Sequence, residues 1–502
     1  MRRPSSPICT PEPAVWTRRT FFRRASACLG AVGLGTVGLA GCDRDKAGNP
    51  GKKPPKSRRP TIAEAVTALQ TATPDNALPC AASLIERGLS HDQLRAALVE
   101  HWAEVDGDVH GGLALHAVLA IERELAPNER LLALFRAVDL SVAHRLAWKA
   151  MPPRQPVPRE MLGRSLSELS EALRGHFDAL HADQVRIHVR ALHQRWGQEA
   201  VTAELLRMAA RDDGFGGHSA HLIVASLDLL RTVKWHAADA VLDQVASRLQ
   251  PPGTWQAPPR PAAMQAFARQ QKLVAQAGER WQQGIRQMSE SRALRKLARL
   301  ARGDALEAEV RAALDRGVHP DALWDGLSLA AADMTLVDPS PSGTGVHALL
   351  LVAALRQAAR RAPTPQARLI TLLGAAWRLP SHRPGASAAQ LPTSATATEL
   401  QPLSIGSARK RRADAIRAAS GNGGAKALAV RDGLRDVALR KAAPDLHLLE
   451  VPVAATRLAA VAAPHFQGEI LAASATCTPD PSGPDWARLA EAERLIAALR
   501  GH

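Results

Sequence analysis

Two stretches of this chain repeat each other block by block, in the same order. Arg87-Gly88-Leu89-Ser90-His91-Asp92-Gln93-Leu94 is matched by Arg316-Gly317-Val318-His319-Pro320-Asp321-Ala322-Leu323. Leu115-His116-Ala117-Val118-Leu119 is matched by Val346-His347-Ala348-Leu349-Leu350. Arg130-Leu131 through His144-Arg145 is matched by Arg368-Leu369 through His382-Arg383, over the same fifteen-residue step. A third copy of the middle block reads Gly216-Gly217-His218-Ser219-Ala220-His221. A duplicated unit that cannot bury its apolar face alone must bury it against its neighbour, which confines such a chain to repeated, packed layers.

The layers are expected to be helical. Aromatic residues make up 3% of the chain and Tyr is absent, so the side chains that strands lean on are scarce. Ala, Leu and Arg, strong helix formers, dominate instead. Leu84, Ile85, Leu89, Leu94, Leu98 and Val99 recur at helical steps. The expected fold is all-α: stacked helical hairpins with an internal duplication and no sheet beyond a stray pair. Pro-rich breaks at 152–158 and 251–261, and a Ser/Thr/Ala/Pro-rich insert at 384–408, punctuate the pattern. Two helical halves follow, 61–250 and 263–502, with the insert read as disordered.

The N-terminus reads differently. Thr17-Arg18-Arg19-Thr20-Phe21-Phe22-Arg23 resembles the twin-arginine export motif, with Arg18 and Arg19 as its signal pair. A Gly-rich apolar run, Ala25 to Gly41, follows and ends Leu39-Ala40-Gly41-Cys42, which is similar to a bacterial lipobox. The resemblance implies a signal peptide over 1–41, lipidation at Cys42 and a flexible basic tether over 42–60. The implied partners are the membrane, through the lipid anchor, and the twin-arginine export machinery. The implied location is the cell envelope, at the periplasmic face of the inner membrane, where Asp43 beside the lipidated Cys favours retention. Gly33-x-Gly35-x-x-Gly38 lies inside this apolar run and has no strand before it, so it is not a nucleotide loop.

The net charge of +16 is concentrated in that leader and tether, which carry +5 each, leaving +6 for residues 61–502. A body so weakly charged excludes a phosphate-binding, nucleic-acid role. Of the five Cys, only Cys80 and Cys477 lie beyond Cys42, and they either pair or stand as separate buried residues. No Cys-x-x-Cys, His-Glu-x-x-His, Gly-x-Ser-x-Gly or P-loop occurs.

The histidines carry the remaining signal. His116, His221 and His347 each follow a Gly by four residues: Gly112, Gly217 and Gly343. If the Gly opens a helix, the His lies near its first turn, where the positive end of the helix dipole disfavours imidazolium. Neutral imidazole is the form that accepts a proton or binds a metal. His116, His221 and His347 are therefore the candidate catalytic residues. His110 and His218, on the same entry loops, and His447, after a Pro-Asp loop, are candidate metal ligands. The alternative at every position is a packing histidine hydrogen-bonded to the next repeat. His181 and His188, seven apart after Asp178, share a helix face and read chiefly as polar surface.

The blocks His110-Gly111 to Leu125, His218 to Leu230 and Val346-His347 to Pro384 resemble the His-containing helical segments of the questin oxidase-like family. That resemblance implies an all-α fold and an oxidoreductase that opens an anthraquinone ring with a nicotinamide cofactor. This chain has no recognisable nucleotide-binding loop, so the cofactor itself stays open. Two functions are carried forward. One is an envelope oxidoreductase whose His cluster faces a pocket lined by Trp such as Trp324 and Trp377. The other is a non-catalytic helical scaffold that binds a partner at the membrane surface. Catalysis requires the histidines to converge, and a scaffold would scatter them.

Overall fold

The computed structural model describes residues 58–211, 217–249, 260–277, 280–338, 343–384, 407–421 and 423–500. Arg18, Arg19 and Cys42, and most of the expected insert at 384–408, lie outside the described residues. Among those described, nearly all regular structure is α-helix; the sheet is one antiparallel pair, Val105–Asp106 with Lys149–Ala150. No described helix is long and apolar enough to cross a membrane.

Local sequence explains the helix ends. Thr61 with Glu64, Ser90 with Gln93 and Ser165 with Glu168 form capping boxes, each pairing a backbone N–H at either end of the helix's first turn. The repeated Arg-Gly blocks are repeated helix stops. Gly88 and Gly317 adopt φ of 97° and 82°. Leu89 then bonds back to the carbonyl of Leu84, and Val318 to that of Ala313. Both closures use the left-handed conformation that Gly adopts without steric cost.

Four helices that pack side by side form the inner layer of the fold. In chain order these inner helices are Val109–Glu124, His218–Thr232, Thr344–Arg361 and His447–Val461. His218 to Leu230 is buried without interruption, as is Gly112 to Glu122. A helix apolar on all sides belongs in a core. The outer helix Met288–Leu300 buries only Ser291, Leu294 and Ala298, a stripe at helical spacing. The Val109 helix packs on the His218 helix, that on the Thr344 helix, that on the His447 helix, and the last back on the Val109 helix. The four inner helices thus close into a ring, and the duplicated hairpins wrap around it.

Contacts at successive levels set their direction. First-turn residues His110, His218, His347 and His447 meet one another. Two to three turns along, His116, Asp228, Gln357 and Arg457 meet. The four inner helices therefore run the same way, with their N-termini at one end of the bundle.

Close approach of the Thr344 helix to the Pro320–Val337 helix depends on Gly345. A Cβ there would lie 2.1 Å from the carbonyl oxygen of Met334. Thr335 spans the same crossing, donating to the Gly345 carbonyl at 2.8 Å. Gly345→Ala should force the helices apart and cost about 1–3 kcal/mol. Gly433→Ala is the control, because a Cβ at Gly433, inside the Ala425–Arg440 helix, meets nothing within 4 Å. It should be neutral or stabilise by roughly 0.5–1 kcal/mol. Urea unfolding of the two variants checks this, and equal midpoints would refute the packing account.

Candidate metal centre

The first turns of the inner helices bring His110, His218, His447 and Glu450 together. One donor atom from each lies within 4.8 Å of all the others. His110 and His218 are the second and first residues of their helices, and His447 and Glu450 the first and fourth of theirs. A φ of 90° at Gly217 turns the chain directly into His218. Asp108 caps the Val109 helix by accepting from the N–H of Gly111 at 3.2 Å.

Asp445 does two things for His447. Its Oδ1 accepts from the backbone N–H at 3.0 Å and from the ring Nδ1–H at 2.7 Å. A carboxylate on one ring nitrogen fixes the tautomer and leaves the other as a lone-pair donor, as behind metal-bound imidazoles. That other atom, Nε2, is buried and has no hydrogen-bond partner. Oε1 of Glu450 accepts from Nδ1 of His110 at 3.3 Å, while its Oε2 is buried with no partner. Burial pushes the Glu450 carboxyl up, but the His110 hydrogen bond and the neighbouring His110, His447 and His221 outweigh it and hold it down at about 2. The positive ends of four parallel helices act in the same sense.

A buried carboxylate oxygen without a donor costs free energy that a charged partner would recover. Metal–imidazole bonds of about 2.1 Å place opposite donors about 4.2 Å apart. The 4.8 Å envelope is about 0.6 Å wider than that. Three imidazoles and one carboxylate are donors suited to a borderline divalent ion such as Fe(II), Mn(II) or Zn(II).

His347 stands beside this set. It is the fourth residue of its helix, with its ring centroid 4.6 Å from that of His218 and 5.4 Å from that of His447. Burial, then the neighbouring His447, His382 and His110, lower its pKa to about 3.

His116 and His221 occupy the next level, with ring centroids 6.3 Å apart. They line a cavity with room for about one water, together with Ala117, Ala353, Gln357, Glu450 and Arg457. Burial lowers His221 to about 4 and His116 to about 3, in the latter case with help from Arg457. Nε2 of His116 lies 3.2 Å from Oδ2 of Asp228 and 3.0 Å from Nη1 of Arg457. Gln357 and Arg457 donate to the same Oδ2 at 3.0 and 3.1 Å, and Arg361 to Oδ1. His116 is thus engaged in a charged layer that ties all four inner helices together.

Of the candidate residues, His110, His218 and His447 come together with His347 beside them, while His116 and His221 share the layer beneath. The entry-turn expectation holds for His221 and His347 and fails for His116, the eighth residue of its helix. Gly112 lies inside that helix because a Cβ would fall 2.3 Å from the Trp102 ring, so packing and not a helix start requires it. Trp324 and Trp377 do not line the cavity; Trp377 donates to Asp304 and Trp324 is core. Cys80 is a half-buried free thiol, so it forms no disulfide with Cys477. Sequence reasoning missed Glu450, although His447-x-x-Glu450 puts both groups on one face of a helix start. Asp228 and Arg457 carry no comparable motif. Comparison with protein-family models, curated proteins and solved structures finds no match to this chain.

Proposed function

We propose that this chain is a mononuclear metalloprotein of the bacterial envelope whose His110–His218–His447–Glu450 centre performs oxidation–reduction chemistry. The observation that carries the reading is the convergence of four donors, three from buried residues and one from half-buried His110, with Nε2 of His447 and Oε2 of Glu450 lacking any other partner. Histidine with a single carboxylate is the ligand chemistry of non-haem redox metals. Four protein ligands on an ion that accepts six leave room for an exogenous molecule. The questin oxidase-like resemblance supports the oxidative sense. The leader supports the location: the twin-arginine route exports proteins already folded, with an inserted cofactor in place. A nicotinamide pool is not expected outside the cytoplasm, and a resident metal removes the need for one.

The test is elemental analysis of protein purified in detergent from its native envelope. The wild type should carry about one redox-active metal ion per chain. Glu450→Gln and His447→Ala should lower metal affinity by at least tenfold, as loss of a coordinating group or its support does elsewhere. A wild type that takes up no Fe(II), Mn(II) or other divalent ion, even on anaerobic reconstitution, would leave the partner-binding scaffold as the better reading.

A further inference from the structure

We propose that His347 is a fifth protein ligand, making a centre of four imidazoles and one carboxylate with a single position left for a small monodentate molecule. This rests on the metal-centre reading above.

Ring geometry carries the argument. With a metal–nitrogen bond of about 2.1 Å, an imidazole centroid sits about 3.3 Å from the ion, so adjacent rings lie about 4.6 Å apart and opposite rings about 6.5 Å. The centroids of His110 and His218 are 4.7 Å apart, those of His110 and His447 4.6 Å, and those of His218 and His347 4.6 Å. These are the spacings of neighbouring ligands. His347 and His447, at 5.4 Å, close the quadrilateral, and the His218–His447 diagonal is 5.8 Å. The four rings, one from the first turn of each inner helix, thus surround a common centre. His110 and His347 are opposite corners. His347 lies outside the 4.8 Å donor envelope of the other four, although its ring is spaced like a ligand's from that of His218. A second observation points the same way: Nε2 of His347 is buried and has no hydrogen-bond partner.

Glu450 lies one turn deeper than His447, so the carboxylate approaches the four-imidazole set from inside the bundle. The vacant coordination position then faces the N-terminal ends of the four helices, whose dipoles favour negative charge. The ligand class this selects is a small anion or a diatomic that gains negative charge on binding, such as superoxide or dioxygen. A chelating organic substrate needs two adjacent positions and is not accommodated.

The experiment uses Co(II)-loaded full-length protein, with azide as the anionic probe and 4-nitrocatechol as the chelating probe. The wild type should show the weak visible bands of five- or six-coordinate Co(II), bind one azide and leave the nitrocatechol spectrum unchanged. His347→Ala should bind Co(II) at least tenfold more weakly, show several-fold stronger visible bands, and recover the wild-type spectrum with added imidazole. His347→Gln, which keeps most of the side-chain volume, guards against a folding defect and should behave like His347→Ala. Co(II) bound one to one with a spectrum that neither substitution alters, while Glu450→Gln alters it, overturns the fifth-ligand assignment and leaves the metal centre standing. Nitrocatechol chelation by the wild type overturns the single open position. Failure of the wild type to bind Co(II) overturns both readings.

Discussion

Lowering the pH from 7.5 to 5.5 should remove roughly 5 kcal/mol of the protein's stability, well before its carboxylates titrate. His101, His116, His144 and His382 are held neutral in the fold, chiefly because burial penalises the imidazolium. Their pKa values fall from the ordinary 6.5 to about 4, 3, 4 and 4 respectively. Nearby Arg145, Arg457, Arg248 and Arg378 add to the effect at each in turn. In the unfolded chain each takes up a proton as the pH drops through 6.5; in the folded chain none does until about 4 or below. Stability is therefore fully present above pH 6.5 and declines between there and about 4. Each such histidine contributes a slope of about 1.4 kcal/mol per pH unit in that window. The four together give roughly 5 kcal/mol per unit, against a total of about 5–15 kcal/mol for a typical fold. Urea midpoints at pH 7.5, 6.5 and 5.5 measure the slope. His382→Gln should flatten it by about one histidine's share. A midpoint constant from pH 7.5 to 5.5 would show that these rings protonate without unfolding.

Asp228→Ala should be the most damaging single substitution in the inner ring. The carboxylate faces His116, Gln357, Arg361 and Arg457, from the three other inner helices. Burial favours its neutral acid, but His116, through its hydrogen bond and its proximity, and after it Arg457 and Arg361, hold it well below the usual carboxylate range. Removing one partner of a buried ion pair costs about 3–5 kcal/mol, mostly because the other charge is stranded. The lower end is expected here. The Arg361 and Arg457 side chains keep 17% and 22% of their exposure and regain some hydration. Adding Arg457→Met to Asp228→Ala should recover part of the loss, because it removes a stranded cation. Urea unfolding of the single and double variants decides. A double variant no more stable than Asp228→Ala would mean that shape, not charge, makes Asp228 important.

The all-α class was legible in the sequence because it is a local property. Helical apolar spacing, the scarcity of aromatic side chains and capping residues such as Ser90 and Ser165 act within a few positions of one another. The repeated Arg-Gly blocks are local too, and Gly88 and Gly317 stop their helices in the same way. Individual site residues were legible by type: neutral histidine near a helix start is chemistry that one turn of chain can prescribe.

Which histidines share a level was not local. The repeat pairs His116 with His347, yet it is His110 that reaches the level of His347, and His116 lies deeper beside Asp228. The axial register of an inner helix against its outer neighbour is set by contacts such as Gly112 on Trp102 and Gly345 on Met334. Those contacts join residues from different helices, and no periodicity within a helix encodes them. Glu450 became a candidate ligand only when ring closure carried the His447 helix back to the Val109 helix and set its carboxylate against His110, 340 residues away in sequence. Helix type follows from short-range sterics and burial. The donor set follows from how far each helix slides before its side chains interlock, which only the packed tertiary structure determines.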